Sequence, residues 1–135
     1  MSFQPKKEFA QGDLCVRTDI FRAIPIIESF GEADISNISA FKDALAYAVE
    51  SGLKEIIVDL RRMDFMDSSG FNTLVQSARQ LEETNGGKMV IICPRTHIEQ
   101  CIRLLGIDAL IPVFHTLSEA VSHFEKRAIR PPKAA

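Results

Sequence analysis

The sequence predicts an α/β fold: a mixed, mostly parallel central sheet of four to five strands carrying about four helices. Three observations carry this expectation. Residues 55–60 and 88–93 are apolar, β-branched runs almost free of polar interruption, the pattern of strands buried on both faces. Between and after them, apolar residues recur at helical spacing, first Phe71, Leu74, Val75, Ala78 and Leu81, then Ile98, Ile102 and Leu105. Strand and helix therefore alternate, which implies right-handed crossovers between parallel strands.

The elements follow in order. Two extended segments, residues 13–18 and 21–30, open the body and add a hairpin at one side of the sheet. Pro25 cannot donate to a ladder, so it marks an edge, a bulge or a strand start. Gly31 reads as the close of that strand, and Asp34 or Ser36 as the start of a helix striped by Phe41, Leu45, Ala48 and Val49 and stopped at Gly52. After strand 55–60 comes Asp67, placed as an N-cap, and the helix it opens ends near Asn85-Gly86-Gly87. Pro94 stops the next strand, and Gly106 ends the next helix. A short strand at 111–114 precedes Thr116-Leu117-Ser118-Glu119, a capping box, after which Leu117, Ala120, Val121 and Phe124 give the last apolar face.

The polar first dozen residues and the prolines after Arg130 place flexible tails at 1–12 and 127–135 around one domain, 13–126. With 135 residues, 46% hydrophobic and 25% charged, a single domain has enough apolar material for a core without staples. The net charge of −2 and dispersed Lys and Arg residues give no electrostatic reason to expect a nucleic-acid partner. Cys15, Cys93 and Cys101 are odd in number and form no CxxC, so they read as small core residues of a reducing compartment. There is no signal-peptide core and no run of membrane-span length, so the expected location is cytoplasmic, without direct membrane insertion.

One segment carries a specific signal: Met66-Asp67-Ser68-Ser69-Gly70, at a strand-to-helix junction. With Asp67 at the N-cap, Ser68 falls in the first helical turn, where unpaired N–H groups and the positive dipole end favour a phosphate. A phosphate there adds about −1.5 to −2 charges without unfolding the helix. The simpler local reading of the same tetrapeptide is a helix cap and nothing more.

The residues 56–70, ending in Met66-Asp67-Ser68-Ser69-Gly70, resemble the signature of STAS domains, named for sulphate transporters and anti-sigma-factor antagonists. Gly31-Glu32-Ala33-Asp34 is similar to the family's Gly-x-x-Asp, and Gly86-Gly87-Lys88-Met89-Val90-Ile91 and Leu104-Leu105-Gly106-Ile107 resemble its next strand entry and late helix end. The resemblance covers nearly the whole chain, about residues 13 to 126, and implies a STAS-like fold. For the antagonist type it implies phosphorylation at Ser68, with Ser69 the lesser candidate. The implied partner surface is Asp67, Ser68, Ser69, Gly70, Phe71 and Asn72. The implied partners are an anti-sigma factor serine kinase and a metal-dependent serine phosphatase; the implied role is partner switching in sigma-factor-dependent transcription and stress response. Phe71-Asn72 departs from the family's frequent Leu-Gly, which bears on partner identity. A scaffold subunit of a stressosome-like sensory assembly and a soluble subunit of a lipid or anion transport system stay open as alternatives, as does a homodimer.

No enzyme is expected. Asp59 ends a strand as a phosphorelay receiver's acceptor would, but the acidic pair and late lysine of such domains are missing. Ser68 and Ser69 lie in no Gly-x-Ser-x-Gly elbow, and His97, His115 and His123 read as surface or capping residues. Their spacing matches no metal motif, and no Gly-rich phosphate loop is present, so neither metal nor cofactor is expected. Arg61 and Arg62 precede the serines closely enough to be candidates for docking an acidic partner or steadying a phosphate.

Overall fold

The computed structural model describes residues 3–128. Six strands form one sheet in chain order: β1 (Glu8–Gln11), β2 (Leu14–Phe21), β3 (Ile24–Ala33), β4 (Glu55–Met66), β5 (Lys88–Ile92) and β6 (Val113–Phe114). The first three pair antiparallel, and β3 through β6 pair parallel. Helices α1 (Ile38–Glu50), α2 (Ser68–Asn85) and α3 (His97–Leu104) make the crossovers, and α4 (Leu117–Ala128) follows β6. The mixed, mostly parallel α/β sheet expected from the sequence is therefore present.

The pleat decides which side chains meet which helices. Ile56, Val58 and Leu60 of β4 and Met89 and Ile91 of β5 join the large core under α1, α2 and α3. Their alternates, Ile57, Val90 and Ile92, join Ala120, Val121 and Phe124 of α4 in a second core on the opposite face. The unbroken apolar runs are thus explained: both faces of the central strands are covered.

Four features depart from the sequence reading. The residues assigned to a tail at 1–12 contain β1, which pairs with β2 from Glu8↔Arg17 to Gln11↔Leu14 and gives the sheet six strands, not four to five. Phe3 is 8% exposed and stacks on Tyr47 with ring centroids 5.5 Å apart, while Gln4 N–H donates to the Tyr47 hydroxyl at 2.8 Å. An edge strand exposed on most of its residues shows no hydrophobic alternation, so its polar sequence conceals it.

The second departure is Gly31, which does not close β3. It sits inside the strand with φ +98°, and a Cβ there would lie 1.9 Å from the Asp13 carbonyl oxygen. The glycine lets β3 continue past the start of β2, through a register shift, to Ala33. Third, β4 continues beyond Leu60 to Met66, following β3 as far as Ala33↔Met66. Fourth, α1 starts at Ile38 with Asn37 at its N-cap; Asp34 accepts from Ser36 N–H at 2.8 Å, organising the loop ahead of the helix. The capping box before α4 forms in a shifted version: Glu119 N–H donates to Thr116 Oγ1 at 3.2 Å, while the return bond to Glu119 Oε1 comes from the N–H of His115, one residue before the cap, at 3.3 Å. The C-terminal tail expected at 127–135 lies, from residue 129 onward, outside the described residues.

Gly31→Ala combines a positive φ with a collision against backbone. It is expected to lower the unfolding free energy by about 3 kcal/mol, read as a lower urea midpoint at unchanged slope; a midpoint within error of the parent chain would contradict this account of β3.

Candidate functional site

The strand-to-helix junction 66–72 projects from the sheet because β4 outruns its neighbour. β4 pairs with β5 only from Glu55 to Asp59, whereas its pairing with β3 runs on to Met66. At about 3.3 Å per residue, the last stretch carries Asp67 more than about 20 Å beyond the end of the β4–β5 ladder.

Asp67 is the N-cap of α2, with extended backbone at φ −94° and ψ −174°. Its Oδ1 accepts from the Ser69 N–H at 2.9 Å and from the Ser69 hydroxyl; its Oδ2 accepts from the Ile35 N–H at 3.2 Å. Its own N–H donates to the Ala33 carbonyl at 3.1 Å, and its carbonyl accepts from Gly70 N–H at 3.0 Å. One residue thereby ties the start of α2 both to the end of β3 and to the loop that follows it. The Ser69 hydroxyl holds the Asp67 carboxyl below its ordinary value against an opposing desolvation, assisted by the N–H groups of Ser69, Ile35 and Gly70.

The two serines differ. Ser69 is half-buried and its hydroxyl is committed to Asp67. Ser68 is exposed, and its hydroxyl makes no hydrogen bond among the described residues. Asn72, one turn on, is also exposed, so Ser68 and Asn72 share a free face of α2.

Gly70 and Phe71 do not belong to that face. Phe71 is 5% exposed and packs in the large core. Gly70 is buried against Met66, whose Cγ would lie 2.3 Å from an added Cβ. Both were expected to contact a partner; both instead seat the helix. The apolar stripe Phe71–Leu74 already pointed Phe71 inward.

Arg61 is committed elsewhere: its Nε lies 3.0 Å from Asp59 Oδ1 and its second terminal nitrogen 2.7 Å from Asp59 Oδ2. Arg62 is exposed. Each histidine has a local partner: His97 lies 3.7 Å from Cys101 Sγ, His115 3.0 Å from Glu99 Oε2, and His123 packs on Phe114. None is joined to Ser68 or Ser69. Among the described residues no group of three His, Cys, Asp or Glu side chains is arranged to hold a metal. Nor is any helix there long and apolar enough to cross a membrane.

Two exposed apolar side chains border the junction and had no place in the sequence reading. Ile35 is 77% exposed and Phe65 43%. The available signal was a single isoleucine between turn formers in Asp34-Ile35-Ser36-Asn37.

Comparison with known proteins gives a family model described as STAS domain, matching residues 16–120. The anti-sigma-F factor antagonist RsfB of Mycobacterium tuberculosis is 21% identical over 99 residues, 73% of this chain and 80% of RsfB. The crystal structure of an anti-sigma factor antagonist from Mycobacterium paratuberculosis superposes with TM-score 0.72 at 22% identity, covering 83% of this chain and 94% of that one. The Bacillus cell fate determinant SpoIIAA in its phosphorylated form gives TM-score 0.63 at 23% identity, covering 81% and 98%. At these identities the structural likenesses establish the fold.

Asp67→Ala removes an N-cap and a loop tether. It is expected to cost about 1–2 kcal/mol at pH 7. Because folding lowers this carboxyl's pKa, its contribution is present above the ordinary value of 3.8 and is lost as pH falls through the lower folded value. Urea titrations should therefore show the gap between parent and variant closing below that value; a gap independent of pH would contradict the assignment.

Proposed function

Because the chain belongs to the STAS domain family, we propose that it is an anti-sigma factor antagonist whose switch is phosphorylation of Ser68. Unmodified, it docks through the exposed start of α2 onto an anti-sigma factor serine kinase, and a sigma factor is released. The kinase transfers a phosphoryl group from ATP to the Ser68 hydroxyl, leaving ADP, and a metal-dependent serine phosphatase removes it. The chain is a cytoplasmic binding module in this scheme, not an enzyme. RsfB is named an anti-sigma-F factor antagonist, and SpoIIAA has been solved in a phosphorylated form; both support the reading.

The observation that carries the choice of Ser68 is the division of labour between the serines. The Ser69 hydroxyl is held by Asp67, while the Ser68 hydroxyl stands free at the helix start. A phosphate on Ser68 would add about −1.5 to −2 charges next to the ionised Asp67 carboxylate. In a desolvated contact such a charge costs a few kcal/mol, enough to weaken docking on the order of a hundredfold. Asn72, on the same free face, is the residue through which this chain's partner choice would differ from that of relatives with a smaller side chain there.

The test is incubation of the purified chain with candidate anti-sigma serine kinases and ATP, followed by phosphosite mapping by mass spectrometry. One phosphate on Ser68 is expected, none in Ser68→Ala, and kinase affinity lowered by at least about tenfold in Ser68→Asp. Ser68→Ala accepting phosphate at the parent level would overturn the site, and unchanged affinity of Ser68→Asp would overturn the charge mechanism.

A further inference from the structure

Resting on that reading, we propose that Ile35 is the apolar anchor of the docking face. It is seconded by Phe65, and the occupant is the serine kinase, through an apolar pocket rimmed by Lys or Arg. A side chain this exposed is ordinary on a frayed loop, but the loop carrying Ile35 is not frayed. Asp34 N–H donates to Asn37 Oδ1 at 2.9 Å, Asn37 Nδ2 donates to the Glu32 carbonyl at 2.9 Å, and Ser36 N–H donates to Asp34 Oδ1 at 2.8 Å. Ile35 N–H is itself held by Asp67. The side chain is therefore presented on a fixed backbone, which removes much of the ordering penalty of binding.

Position and charge select the occupant. Ile35 is hydrogen-bonded to the residue preceding Ser68, and Phe65 stands on β4 opposite Glu32. Ile35 is thus tied to the residue beside the Ser68 hydroxyl, and Phe65 lies two residues before Asp67 at the end of the same strand. The segments 32–36 and 64–68 that carry Ile35, Phe65 and Ser68 hold Glu32, Asp34, Asp64 and Asp67 and contain no Lys or Arg. An apolar centre inside an acidic rim is the complement of an apolar pocket with a basic rim. A second copy of this chain would meet the same rim with like charge. The arrangement also separates two electrostatic roles. The solvated rim steers association, whereas Ser68 lies beside the apolar centre that must be desolvated, where a phosphate is not tolerated.

The experiment measures binding of the purified, ADP-loaded kinase that phosphorylates the parent chain. It compares the parent with Ile35→Ser, Phe65→Ser and a control, Ile20→Ser, whose exposed side chain lies at the far end of the β2–β3 hairpin from Ser68. Ile35→Ser should weaken binding by at least about tenfold and Phe65→Ser by less, with Ile20→Ser within about twofold of the parent. The association rate should fall as salt rises from about 0.05 to 0.3 M. Equal binding by Ile35→Ser, or a rate indifferent to salt, overturns the proposal. So does a parent homodimer, seen by sedimentation, that Ile35→Ser dissociates while kinase binding is unchanged. If the parent is bound and phosphorylated but Ile35→Ser behaves like it, the anchor alone fails. If no serine kinase binds or phosphorylates the parent, the functional reading fails and the anchor with it.

Discussion

The carboxylate of Asp67 is the interaction on which the rest of the site depends. It accepts from the Ser69 N–H, the Ser69 hydroxyl and the Ile35 N–H, so α2, the serine pair and the β3–α1 loop share one anchor point. Without it, the first turn of α2 would lose a cap and the loop would lose its tether to that helix. With it, Ser69 is occupied and Ser68 is left free, although the two serines are adjacent and chemically identical. The difference between their hydroxyls is thus a local hydrogen-bonding outcome.

That anchor stands where it does because two strands are longer than the sheet around them. β3 and β4 run together to Ala33↔Met66, while β5 leaves β4 after Asp59↔Ile92. Gly31 makes the extension of β3 possible, since any side chain there would strike the Asp13 carbonyl. The extension has two register shifts against β4. Such irregularities raise local twist and interrupt the regular ladder, here in the stretch of β4 that β5 does not cover. Exposed charge at Arg61, Arg62 and Asp64 on the same stretch blunts it further as a template for unwanted strand pairing.

The sequence made the buried parts legible. Residues 55–60 and 88–93 are enclosed on both faces, so their composition alone identifies them, and the stripe from Phe71 to Leu81 has the 3.6-residue period of a helix seated on the core. Asp67 was legible as a cap because N-capping is a local property. What escaped depends on distant partners. β1 is identified by its pairing with β2, not by its own residues. Gly31 reads as a terminator until the Asp13 carbonyl is seen against it. The β2–β3 turn passes through Arg22 and Ala23, both with positive φ, where the turn rules lead one to look for glycine or asparagine. The exposure of Ile35 and Phe65 is set by which loops and strands fail to cover them, which no periodicity encodes.

Amide hydrogen exchange at Ser69 and Ile35 tests the central claim most directly, because it reads the Asp67 bonds themselves and requires no partner. Both amides should be protected in the parent chain, and both should lose protection together in Asp67→Ala while the amides of β4 and β5 keep theirs. An Ile35 amide that exchanges freely in the parent, or that stays protected in the variant, would contradict the account.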